Sequence, residues 1–202
     1  MLLMWEGSIT DANLLSRGGI HTQDDEDDYN GSAGEAKEKK LVLAPTQTTL
    51  AVGIDASITT ITVNAPVFDD TNHPVKIIDD EKVYVTGGWG TNKYTVIRHW
   101  DGTTPTSHSS GAKIYDCYTY EDINIQASDE SGSDETGWFA YAPDVAGSPG
   151  EYGASLNPSN FTNPKTDTYT FWRKITVPAS QAAQEKIDNR HKADFVPFEY
   201  SA

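Results

Sequence analysis

Cysteine is almost missing from this chain: Cys117 is the only one in 202 residues. A single thiol excludes an intrachain disulfide and a zinc site built from several cysteines, so the fold must rest on packing alone. Cys117 is expected on a strand, as a small apolar side chain. Cations are scarce as well. Lys and Arg total 15 against 30 Asp and Glu, a formal net charge of -15. The clustered positive charge that phosphates require is absent, and the excess of carboxylates disfavours an anionic lipid surface. The expectation is no nucleic acid and no membrane partner. No apolar run reaches the length of a membrane span. Met1-Leu2-Leu3-Met4-Trp5 stops at Glu6, short of an export signal and without its basic flank. With no export expected, the sequons at Asn30 and Asn160 carry no expectation of glycosylation.

Hydrophobic residues make up only 37% of the chain, but ten Tyr and five Trp compensate through the large area each ring buries. The strand vocabulary is Thr, Val, Ile and Tyr, which predicts sheet rather than helix. Thr60-Ile61-Thr62-Val63 alternates hydroxyl and aliphatic residues. Tyr169 to Val177 alternates over its whole length, with Tyr169, Phe171, Arg173, Ile175 and Val177 on one side. Val75 to Ile78 and Lys82 to Thr86 read as two strands joined by a tight Asp79-Asp80-Glu81 turn. Gly87-Gly88-Trp89-Gly90 and Asp101-Gly102 supply further turns, the second as a hairpin. Ser180 to Arg190 alone has helical propensity. Ala193 to Tyr200 closes the chain as a strand that Pro197 confines to an edge or a bulge.

Three regions follow. Residues 1–45 read as an extended N-terminal arm. Its middle, His21 to Lys40, is an acidic block and then a basic one, almost without apolar residues, and is expected to be exposed and ordered only by neighbours. Leu2 to Ile9 and Leu41 to Leu43 are apolar enough to be short strands or docking segments that tie down its ends, and removal of Met1 to Lys40 is expected to leave the two β modules folded. Residues 46–117 form a small β module. Residues 118–202 form a second β unit whose strand spacing and Gly/Pro turns indicate a sandwich.

Chemical signatures are few. The five histidines, His21, His73, His99, His108 and His191, make no metal-binding pair. No Gly-x-Ser-x-Gly elbow occurs, and adjacent acids such as Asp69-Asp70 or Asp129-Glu130 fit solvated loops rather than a glycosidase pair. No catalytic residue and no cofactor is assigned. Glu26, Asp28 and Asn30 before Gly31 mimic part of a Ca²⁺ loop, but Lys37 stands where the bidentate Glu belongs. Arg98 is expected to offer a forked donor to Glu81 across neighbouring strands, and His108 to pin the Thr/Ser loop around it. Trp89, Trp100, Trp138 and Tyr141, near turns or strand ends, suggest a glycan-stacking platform as an alternative use of the surface.

A resemblance adds to this. Thr48-Thr49-Leu50, Ile54-Asp55-Ala56-Ser57 and Thr59-Thr60-Ile61-Thr62-Val63 open a pattern. It continues through Ile78-Asp79-Asp80-Glu81-Lys82-Val83-Tyr84-Val85-Thr86 and Val96-Ile97-Arg98. It ends Trp100-Asp101-Gly102-Thr103-Thr104, His108 and Gly111-Ala112-Lys113-Ile114. This order resembles a β module that recurs in neck, tail and baseplate proteins of tailed phages. Phe171-Trp172-Arg173-Lys174-Ile175-Thr176-Val177-Pro178-Ala179 resembles terminal strands of Ig-like phage particle proteins. The resemblance implies an all-β chain, a small β module followed by an Ig-like β-sandwich. It implies a non-enzymatic structural or adaptor role in the virion, with other virion proteins and copies of itself as partners. Trp5, Leu41, Leu43, Trp89, Trp100 and Trp138 are the expected interface residues.

Overall fold

The computed structural model describes residues 3–6, 15–17, 20–21, 36–129, 136–179 and 189–201, with side chains over 36–127, 136–179 and 192–201. Every regular element there longer than a single 3-10 turn is a strand, so the chain is all-β. The expectations for residues 22–35, which include most of the Ca²⁺-like loop, and for most of the helical segment Ser180 to Arg190 lie outside the described residues, although Asn189 and Arg190 at its end open a strand rather than a helix.

Residues 46–116 close into a small barrel. Its strands are β5 (Gln47–Thr49), β6 (Thr60–Thr62), β7 (Val75–Ile78), β8 (Glu81–Gly87), β9 (Lys93–Ile97) and β10 (Lys113–Asp116). They pair antiparallel in the order β5-β10-β7-β8-β9-β6. A bridge between Leu50 and Val63 joins the two end strands and removes the free edges. Alternation along each strand sends Leu50, Ile61, Val63, Ile78, Val83, Val85, Tyr94, Val96 and Ile114 into one buried cluster with Phe68. Val75 and Ile77, of opposite parity on β7, join a different core.

That second core lies between two sheets. One runs β13-β12-β15-β4-β1-β2, from β1 (Leu3–Glu6), β2 (Leu15–Arg17), β4 (Ala36–Pro45), β12 (Phe139–Val145), β13 (Ser148–Pro149) and β15 (Tyr169–Thr176). The other runs β14-β11-β16-β3, from β3 (Ile20–His21), β11 (Tyr118–Asp129), β14 (Ser155–Leu156) and β16 (Asn189–Glu199). Leu41, Leu43, Phe139, Tyr141, Phe171 and Ile175 of the first sheet meet Tyr118, Tyr120, Ile123, Ile125 and Ala193 of the second. The alternation read in Tyr169 to Val177 holds: Phe171, Arg173, Ile175 and Val177 are buried. Cys117 is buried at the junction, and burial pushes its thiol up to about 12. Pro197 stands opposite Tyr120, close to the register shift between Glu121 and Asn124, and beyond the short stretch of β16 that β3 covers.

Two expectations are corrected here. The first concerns Ala36–Pro45. It is an inner strand of the sandwich rather than the end of an arm, in register with β15 over eight pairs, from Tyr169↔Leu43 to Thr176↔Ala36. Leu41 and Leu43 are therefore core residues, 5% and 0% exposed, and not an interface. Removing Met1 to Lys40 takes away half of that strand, so the sandwich is expected to be disrupted rather than left folded. The barrel is thus an insertion between the first and later strands of a discontinuous sandwich. The second correction concerns Asp101-Gly102, which is no hairpin. It lies in a 3-10 turn after β9, with left-handed φ at His99, Asp101 and Gly102. Lys82 holds it there by donating to Asp101 Oδ2 at 2.6 Å.

Candidate functional site

The hairpin between β7 and β8 closes one end of the barrel. Asp79 turns it with a φ of 52°, a conformation Asp tolerates better than most residues. The turn aligns Ile78 with Glu81, which by strand parity points inward with Val83 and Val85. Arg98 immediately follows β9 and keeps the inward parity of Tyr94 and Val96. Both ionic side chains are thus carried into the barrel mouth by alternation alone.

There they meet as the forked pair expected. Arg98 Nε donates to Glu81 Oε1 at 2.6 Å and Nη2 donates to Oε2 at 2.7 Å. Arg98 Nη1 also donates to the carbonyls of Asp55 and Ile58, each at 2.9 Å, and Nη2 to that of Thr106 at 2.7 Å. A guanidinium has five N–H groups, and these five bonds use them all. Glu81 Oε2 in addition accepts the Thr106 N–H at 3.0 Å and faces His108 Nε2 at 2.9 Å. His108 Nδ1 lies 2.7 Å from Asp79 Oδ2. His108 thus stands between two acids, with Asp79 at one ring nitrogen and Glu81 at the other.

Burial alone would raise the Glu81 carboxyl. The bonds from Arg98, the Thr106 N–H and His108 overcome that and hold it at about 2. The sign follows directly. A depressed folded-state value contributes stability above the ordinary carboxyl range, lost as pH falls through about 2. Wild-type stability should therefore fall between about pH 4.5 and pH 2. Glu81→Gln, measured by denaturant unfolding at each pH, should be less stable near neutrality and flatter over that window. A wild-type profile parallel to the variant's would dismiss this role.

Outside the pair, the mouth is a shallow hollow of about 400 Å³ lined by Asp79, Asp80, Glu81, Gly102, Thr103, Thr104 and Thr106. Thr106 Oγ1 sits 3.4 Å from His108 Nε2, a spacing that invites comparison with a nucleophile and its base. The comparison fails on chemistry, because that nitrogen already faces the nearer Glu81 carboxylate. The arrangement instead ties together four segments: the 55–58 loop, the 79–81 hairpin, the end of β9 and the 103–108 loop. Lys165 of the sandwich adds a fifth by donating to the Asp79 carbonyl at 3.1 Å and to Asp80 Oδ1 at 2.9 Å.

The expected interface residues are dispersed. Trp5 lies on β1 in register with Leu43. Trp89 packs half-buried against the barrel core. Trp100 and Trp138 pack against the sandwich core, Trp100 with its ring centroid 4.3 Å from that of Tyr84. Tyr141 is wholly buried. Of the Ca²⁺-like loop only Lys37 falls among the described residues, on β4. Sequence reasoning missed the Asp79–His108 contact and the complete use of Arg98. The spacing of Asp79, Glu81 and His108 carries no sign of either, since a loop brings them together. No family model, no curated protein and no solved structure matches this chain.

Proposed function

We propose that this chain is a non-enzymatic structural component or adaptor of a tailed-phage particle, in the neck, tail, baseplate or a capsid decoration, acting through protein–protein interfaces. One observation carries the reading. Glu81, Arg98 and His108, three ionisable side chains of the phage-like pattern, are bonded in an internal clamp that fastens loops to the barrel. Buried charges that bond to one another and to loop backbone in this way support a scaffold role rather than a reaction. Apolar side chains at the surface, Val196 and Phe198 on β16 and Ile97 on the barrel, give neighbours something to bury. The partners are other virion proteins and further copies of this chain. Purified particles should contain the chain at a fixed stoichiometric number. Its absence from particles, or tight glycan binding by the isolated chain, would overturn the reading in favour of a glycan-binding module.

A further inference from the structure

The far end of the barrel holds a second ionic pair of a different kind. Lys76 on β7 stands directly opposite Asp116 on β10, both of inward parity, and Nζ contacts Oδ1 directly. Their side chains are 1% and 0% exposed. Nζ is fixed on its other side by donating to the His73 carbonyl at 2.6 Å. The rings of Phe68 and Trp89 lie 4.8 and 5.6 Å from it and close the site to water. Asp116 Oδ2, equally buried, accepts no hydrogen bond from any described residue. Unlike Glu81, this carboxyl is not solvated by a ring of donors.

From this geometry we infer that Lys76 and Asp116 condense into an intramolecular amide between Nζ and Cγ, a covalent tie across β7 and β10. In water an ammonium and a carboxylate resist condensation, because each is stabilised by hydration. A dry site penalises both charges and so removes much of that resistance. Burial, offset in part by Lys76, pushes the Asp116 carboxyl up to about 6, which brings its acid form within reach near neutral pH. Proton transfer from Nζ to the carboxylate within the contact then gives an amine and an acid. The Nζ lone pair forms a bond to Cγ, and the bond from Cγ to Oδ2 breaks. The proton first received by Oδ1 passes to Oδ2 in the tetrahedral adduct, and Oδ2 departs as water with that hydrogen and a second one from Nζ. The step balances with no oxidant, reductant or cofactor. Oδ2, the oxygen no neighbour holds, is the one free to leave. Two groups held in contact react at an effective concentration on the order of 10⁵ M or more, which favours a bond that free lysine and aspartate do not form.

The inference stands apart from the chain's place in a particle. It is tested on the denatured full chain by intact mass. Condensation removes one water, so wild type should weigh about 18 Da less than its sequence. Proteolysis should release a branched peptide containing both Lys76 and Asp116. Lys76→Arg and Asp116→Ala should each restore the full mass. A wild-type chain at full sequence mass overturns the proposal even if neither variant folds. So does a mass deficit that persists in Lys76→Arg, which would place the dehydration elsewhere.

Discussion

Arg98→Ala should destabilise the barrel by about 3–5 kcal/mol, the range for removing one partner of a buried ion pair. The loss has three sources: Glu81 is left buried without its counter-ion, three loop carbonyls lose their donor, and a void opens at the barrel mouth. Arg98→Lys should recover little of it. An ammonium offers three donors from one point where five are used from a plane. Denaturant unfolding gives the number, and a loss below about 1 kcal/mol, the range of exposed pairs, would show that the clamp is dispensable.

The other large effect concerns β4. Deleting residues 1–45 should leave the barrel folded and the sandwich unfolded. Eight register pairs with β15 disappear, and the inner face of that sheet loses Leu41 and Leu43. Leu43→Ala alone should cost about 2–5 kcal/mol through the cavity it leaves. Two-dimensional amide spectra of the truncated chain should keep dispersed signals from 46–116 and lose those from 139–176. Native dispersion throughout would return β4 to the role of an accessory arm.

Why β4 was misread in the sequence is instructive. Its first half, Ala36-Lys37-Glu38-Lys39-Lys40, looks like the end of a charged loop, and its partner strand lies more than about 120 residues away, beyond the reach of any local pattern. The alternation of β15 was legible because it is long and self-contained. The Glu81–Arg98 pair was legible because two inward-facing residues of opposite charge ended neighbouring strands. Lys76 and Asp116 carried the same signal, sharing parity with the buried Ile78 and Ile114. That signal is weak on its own, because an isolated charge on a strand usually faces water. Barrel closure rests on the Leu50–Val63 bridge and has no signature in composition.

The insertion also bears on biosynthesis. A ribosome releases β4 well before β15, and at about 5–20 residues per second the wait for its partner lasts on the order of ten seconds. The intervening barrel can fold in that time, since its strands pair among themselves. Leu41-Val42-Leu43-Ala44 meanwhile has no finished sheet to enter, and such a segment invites pairing with another nascent chain. The charged stretch immediately before it, Lys37-Glu38-Lys39-Lys40, is the gatekeeper that discourages this. The feature that disguised β4 as a loop is the one that keeps it soluble until its sheet exists.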